Sequence, residues 1–174
     1  MHLSPAMESY VLHWGEMGTR WGVNRSVAQI HALLYLAGEP LTADEICETL
    51  NLARSNVSTS IRELQGWGLV STSHTLGDRR DHFEAEGDLW TILMTIVEQR
   101  KQREVDPTLT MLRSAVLEAE ADKQTPADVQ ERMTDMMKFI ENLTGWYEKI
   151  SRLPKGTLIK LMNLGSRVAR FVGG

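Results

Sequence analysis

The sequence predicts a mainly α-helical chain built around a three-helix core with a two-stranded β wing. Three observations carry this. Residues 42–66 hold two short amphipathic helical patterns separated by a tight turn. Residues 69–86 read as two strands joined by a tip at Gly77, Asp78, Arg79 and Arg80. From Asp88 to the end the pattern is helical. Helix, turn, helix and hairpin in that order are the element order of a winged helix-turn-helix. The expected division is an N-terminal helix at 1–23, the winged region at 24–88 and a C-terminal helical dimerisation region at 89–174.

The first helix is expected over residues 8–22, with Val11, Trp14, Met17 and Trp21 near helical spacing. Gly15, Gly18 and Gly22 fall on one side of it. Each costs a helix about 1 kcal/mol relative to alanine, so this face predicts close approach of another helix or a ligand. Asn24 caps a second helix that runs to Ala37, and Gly38-Glu39-Pro40 ends it. Thr42 to Glu45 is a capping box, in which each side chain satisfies the other's free backbone N–H. Asp44, Glu45 and Glu48 place the carboxylates of this helix on a solvated face.

The next helix spans 54–66. Val57, Ile61 and Leu64 give it a buried stripe. Its other face carries Arg54, Ser55, Asn56, Ser58, Thr59 and Arg62. Ser, Thr and Asn compete for backbone hydrogen bonds and are poor interior helix formers, so helix stability does not account for them. Short polar side chains and arginine near the start of a helix do suit hydrogen bonding at base edges, while backbone N–H groups favour phosphate. Arg79 and Arg80 at a hairpin tip cannot serve core packing, and suit phosphate or a narrow minor groove. On double-stranded DNA, Ser55, Asn56, Ser58, Thr59 and Arg62 are therefore expected to read bases, and Arg54, Arg79 and Arg80 to contact phosphate or the minor groove.

Charge is sorted in the same direction. The chain carries a net charge of -4, which argues against non-specific coating of nucleic acid. Between Arg54 and Arg80, however, four Arg face only Glu63 and Asp78. The acidic total leaves a second reading open, a winged-helix protein-interaction module without DNA binding.

Beyond the wing, Asp106-Pro107 reads as a break with a new helix start, Asp as cap and Pro at the first helical position. Thr125-Pro126 repeats that signal. The long helix after it carries Val129, Met133, Met136, Met137, Ile140, Leu143, Tyr147 and Ile150 at spacings of three and four. These helices hold more apolar side chains than a small winged helix needs, and a homodimer interface is their expected destination. A dimer would reach two half-sites of a palindromic operator about 34–36 Å apart.

Neither chemistry nor membrane is expected. His2, His13, His31, His74 and His82 are scattered without ligand spacing, and the chain has a single cysteine, Cys47. No catalytic residue, metal or cofactor is predicted. The N-terminal MHLSPAMESY lacks the basic and apolar regions of a signal peptide, so a cytoplasmic protein is expected.

Residues 24–86 resemble the MarR family of winged-helix regulators, and GDRRDHFEAEGDLW with the helical tail resembles its GbsR-type branch. The Asp-x-Arg of the family wing falls on Asp78 and Arg80. By resemblance, Asp78 braces the wing and Arg80 reaches the minor groove. Two departures stand out: Ala53 occupies the expected N-cap position before the reading helix, and Ala85-Glu86-Gly87-Asp88 replaces the usual wing exit. The resemblance implies a homodimeric repressor whose DNA affinity responds to a small effector such as a choline-type quaternary ammonium. Trp14, Trp21, Trp90, Trp146 and Tyr147 are the aromatic residues that could cage such a cation. Trp67 is expected to pack beneath the wing, and the alternative for all the aromatics is a core or interface role.

Overall fold

Two patterns of burial organise the chain, one on each side of residue 96. The computed structural model describes residues 1–74, 76–122 and 124–172, with side chains other than those of 163 and 165–172. Met1–Ile96 form one compact unit, and a second begins at Val97. The sequence divisions at 23/24 and 88/89 differ from this: the N-terminal helix belongs to the first unit, and the boundary falls inside a helix.

In the first unit, α1 (Pro5–Arg20) begins earlier than the apolar spacing suggests. Ser4 caps it by accepting from the Met7 N–H at 3.3 Å, and Pro5 takes a first-turn position where its missing N–H costs nothing. Helix α2 (Arg25–Ala37) starts at Asn24, whose Oδ1 accepts from the Ser26 N–H at 2.9 Å. The glycine face of α1 is a close-approach surface at two of its three positions. A Cβ on Gly18 would lie 2.5 Å from Ala28 Cβ, and one on Gly15 would lie 2.6 Å from Gln29 Cγ. Gly22 has left α1 and turns with φ +75°.

Helix α3 (Ala43–Leu50) begins with the capping box. The Thr42 backbone N–H and hydroxyl each donate to Glu45 Oε2 at 2.7 Å, and the Glu45 N–H donates to Thr42 Oγ1 at 3.3 Å. These donors hold the Glu45 carboxyl below its ordinary value. Helix α4 (Arg54–Gly66) buries Val57, Ile61 and Leu64 as its spacing predicts, and adds Ser60. The core joins these to Val27, Ile30, Leu33 and Leu34 of α2, Ile46 of α3, and Leu69 and Val70, with Trp67 half-buried against it. His31 is buried in α2, and burial pushes its imidazole down to about 4, so it is neutral at pH 7.

The wing is part of a three-stranded antiparallel sheet ordered β1-β3-β2. Here β1 is Leu41–Thr42, β2 is Val70–Ser73 and β3 is His82–Ala85. Thr75, expected at the end of the first wing strand, lies outside the described residues. The sequence reading has no counterpart of β1. At two residues it is too short to alternate, and Thr42 both pairs with His82 and caps α3.

The second unit corrects one expectation. Asp106-Pro107 does not break the chain. Helix α5 (Leu89–Arg100) continues through a π-helical turn (Lys101–Val105) into α6 (Asp106–Ala121). Asp106 is helical, with φ -62° and ψ -42°, and is no N-cap. Pro107 has no N–H, and its ring crowds the carbonyl of Arg103 four residues earlier. The turn before it widens, so that the Asp106 N–H reaches the Lys101 carbonyl. The Thr108 hydroxyl donates to the Glu104 carbonyl at 2.6 Å, and Lys101 Nζ lies 3.0 Å from Asp106 Oδ1 across the same turn. A new helix does start after Thr125-Pro126, α7 (Ala127–Ser151), but Pro126 is its N-cap rather than its first helical residue, and Thr125 does not cap it. Helix α8 (Lys155–Val172) comes last.

Helix α7 also divides what its spacing joins. Met133, Met137, Ile140, Thr144 and Tyr147 are half-buried, and α7 packs on α6. Met136, Phe139, Leu143 and Trp146 form a separate exposed stripe at spacings of three, four and three. Among the described residues no helix is long and apolar enough to cross a membrane.

The packing of α1 on α2 gives a stability test. Gly18→Val should lower the free energy of urea unfolding by about 1–3 kcal/mol, because Ala28 lies on α2 and cannot withdraw. Gly66→Ala, which meets no neighbour within 4 Å, should leave stability unchanged or raise it by about 0.5–1 kcal/mol.

Candidate nucleic-acid interface

The site grows from the division of α4 into faces. With Val57, Ile61 and Leu64 buried, Ser55, Thr59 and Arg62 lie on the outermost stripe, and Arg54, Ser58 and Gln65 lie on the side toward the wing. Gln65 Nε2 donates to Thr72 Oγ1 at 2.7 Å and ties this side of the helix to β2. The result is a cleft of about 460 Å³ between α4, the start of α3 and the wing. It gathers Arg54, Ser58, Arg62, Arg79 and Arg80 of the expected contacts. Asp44, Gln65, Thr72 and Asp81 also line it.

The wing tip is held by its own charges. The Asp78 carboxylate accepts from the Arg80 backbone N–H at 3.0 Å, from Nε at 3.0 Å and from Nη2 at 2.5 Å. The guanidinium beside Asp78 holds its carboxyl well below the usual carboxylate range, and the same contact raises Arg80. Asp78, the residue to which the Asp-x-Arg resemblance gives a bracing role, grips the Nε and Nη2 edge of Arg80. His82 Nδ1 lies 3.0 Å from the Arg80 carbonyl at the base of the wing.

Asn56 requires a correction. It is half-buried, its Nδ2 donates to Ser26 Oγ at 2.9 Å, and its Oδ1 accepts from Ser60 Oγ at 3.4 Å. Its helical position turns it toward α2, so the fold uses both ends of the amide and the residue is withdrawn from the exposed face. Ser55 and Thr59 are exposed but stand outside the cleft. At the start of α4, Ala53 has an extended backbone (φ -64°, ψ 142°) and supplies no side-chain cap, as its residue type predicts.

Asp44, Gln65, Thr72 and Asp81 line the cleft and are not among the expected contacts. Of these, Asp44 bears directly on a predicted residue. It forms an ion pair with Arg54, Oδ1 to Nη1. Gln65 was findable, since it lies three residues beyond Arg62 on the same side of a helix. Asp44 was not, because its partner is on another element.

Residues 21–81 match the model of the MarR family. The chain carries a MarR-family domain. Members of this family are DNA-binding transcriptional regulators rather than enzymes. The GbsR-type resemblance extends further. The HTH-type transcriptional repressor GbsR of Bacillus subtilis strain 168 is 26% identical over 76% of this chain and 75% of its own length. The putative HTH-type transcriptional regulator YvaV of the same organism is 20% identical over 87% of this chain and 86% of its own. A crystal structure of a transcriptional regulator shares the fold, with a TM-score of 0.56 at 18% identity, over 83% of this chain and 99% of the other.

Of the aromatic residues named for an effector, Trp14, Trp21 and Trp90 belong to the first unit and Trp146 and Tyr147 to the second. Trp14 stacks on Tyr10 with ring centroids 5.6 Å apart. Trp21 and Trp146 are exposed, and Trp90 is half-buried. The Tyr147 hydroxyl donates to Glu98 at 3.2 Å, and desolvation raises its phenol above the ordinary value. Among the described residues no group of histidine, cysteine and carboxylates is arranged to hold a metal ion.

Asn56→Ala should behave as a fold variant. Its loss leaves Ser26 and Ser60 without their partner, and unfolding stability should fall by about 1 kcal/mol. Binding of folded protein to DNA should stay within about twofold of wild type, since no base contact of the kind that carries discrimination is removed.

Proposed function

We propose that this chain is a sequence-specific transcriptional repressor that acts in the cytoplasm as a homodimer on a palindromic DNA operator. Helix α4 enters the major groove with Ser55, Ser58, Thr59 and Arg62, and the wing brings Arg79 and Arg80 to the adjoining backbone or minor groove. The observation that carries this reading is the cleft. In a chain of net charge -4, Arg54, Arg62, Arg79 and Arg80 converge from two elements on one concave surface. That surface offers phosphates a favourable potential without making the whole protein a polyanion binder. The named repressor among its relatives supports the sign of regulation.

The dimer is supported by α7. A helix of 25 residues with no fully buried side chain presents Met136, Phe139, Leu143 and Trp146 to solvent at coiled-coil spacing. A second copy provides a matching stripe by symmetry. A small cationic effector of the choline type completes the reading. Exposed Trp21 and Trp146, with Trp14, Trp90 and Tyr147, provide faces on which a quaternary ammonium is attracted by cation–π forces.

The protein-interaction alternative rests on the acidic total charge. Gel-shift titrations at two salt concentrations, on a duplex selected from a random library, distinguish the two. The regulator reading requires specific binding that weakens steeply with salt. On that duplex Arg80→Ala should lose about 1–3 kcal/mol of binding. Phe139→Glu should sediment as a monomer and lose about 10²-fold or more in affinity, because the second half-site no longer adds to the first. Full retention of binding by a monomeric Phe139→Glu would remove the dimer from the account.

Choline titrated into the protein should change its tryptophan fluorescence along a saturable curve. Sodium chloride at matched ionic strength should not. A flat response throughout would exclude this effector class.

A further inference from the structure

Asp44 stands in the wrong place for a cleft that binds phosphates. Its carboxylate lies among Arg54, Arg62, Arg79 and Arg80, and its charge opposes any polyanion that enters. Its pair with Arg54 is largely exposed, at 61% and 59% for the two side chains, and such pairs add little to stability. The start of α3 is already capped by Thr42 and Glu45. Affinity for phosphate does not account for the contact, and as a first-turn acid Asp44 favours the start of α3 with or without Arg54. The contact's effect is on the guanidinium: one Nη1 is held by the carboxylate, which narrows the directions its other donors can take.

Orientation matters only for one kind of partner. A phosphate accepts arginine from many directions, whereas guanine requires two parallel donors toward O6 and N7. Arg54 is the first residue of α4, in the part of a reading helix that meets base edges. The other outward residues discriminate poorly. Ser55, Ser58 and Thr59 pair with more than one base. Asn56 and Gln65, of the residue types that read adenine, are bound to Ser26 and Ser60 and to Thr72 respectively. Base discrimination by hydrogen bonding on α4 therefore falls to Arg54 and Arg62.

Resting on the proposed DNA-reading function, we propose that Asp44 is a positioning residue that makes Arg54 a guanine reader rather than a phosphate contact. The contact joins the first turns of α3 and α4, so the reading geometry of one helix is set by a side chain of the other. Asp44 also lies within electrostatic reach of Arg80, and its removal increases the positive charge offered to phosphate on both sides of the cleft.

The test is selection of bound duplexes from a random library, followed by salt titration on the selected site. It uses the full chain as wild type, Arg54→Ala, Asp44→Asn, Asp44→Ser and Asp44→Glu. The wild type should enrich a motif with one guanine per half-site that Arg54→Ala no longer requires. Asp44→Asn and Asp44→Ser should lose preference at that same base by on the order of tenfold. Both should bind unrelated DNA more tightly, with a salt slope steeper by about one as Arg54 turns to phosphate. Asp44→Glu should restore part of the preference. Asp44→Ser keeps a polar first-turn residue on α3, so it tests the same point if Asp44→Asn is unstable. If the guanine preference and salt slope are unchanged in either folded variant, Asp44 does not position Arg54. A wild type that enriches no sequence would overturn the regulator reading and this inference together. An enriched motif whose guanine survives loss of Asp44 would overturn this inference alone.

Discussion

The burial of Val57, Ile61 and Leu64 decides where every other side chain of α4 points. These three side chains are at most 3% exposed and pack with Ile30, Leu33 and Leu34 of α2. A rotation of α4 that exposed one of them would forfeit about 1.5–3 kcal/mol per side chain. The helix is thereby fixed about its axis, and its polar residues are sorted without any contact of their own. Asn56 falls toward α2, Arg54, Ser58 and Gln65 fall toward the wing, and Ser55, Thr59 and Arg62 face out. The wing then docks on a surface already oriented, through the Gln65–Thr72 hydrogen bond and a third strand supplied by Leu41 and Thr42.

On that scaffold, charge is arranged as cations restrained by carboxylates. Asp78 grips Arg80 and Asp44 grips Arg54. A long, freely rotating arginine loses side-chain entropy when it binds. One already held by a carboxylate loses less, at the expense of some attraction for phosphate. The two pairs lie on the two elements that flank the cleft, which matches a surface built for oriented contacts more than for affinity. The net charge of -4 is compatible with such a surface, because screening confines each charge to about 8–10 Å.

Much of the winged unit was legible because its signals are local. Asn24, the Thr42–Glu45 box, the 54–66 stripe and the hairpin are each defined within a few residues, and the α1 glycines announced a close packing partner. Long-range relations were not legible. The strand at Leu41–Thr42 exists only because β3 lies beside it. Asn56 and Ser55 are adjacent polar residues, and only the placement of α2 separates their roles. Asp44 and Arg54 are ten residues apart with a helix and a turn between them. Pro107 misled for a different reason: a proline after a capping residue reads as a start, but a helix can absorb it by widening one turn. In α7, periodicity marked the apolar positions and could not tell the stripe that packs on α6 from the one left exposed.

On the proposed function, nucleic acid occupies the cleft between α4 and the wing. Hydrogen exchange of the full chain, with and without a duplex it has selected from a random library, tests this. Slowed exchange should concentrate in residues 54–62 and 76–82, with the buried segments of α2 unchanged. Slowing that spared both segments and fell elsewhere on the chain would contradict it.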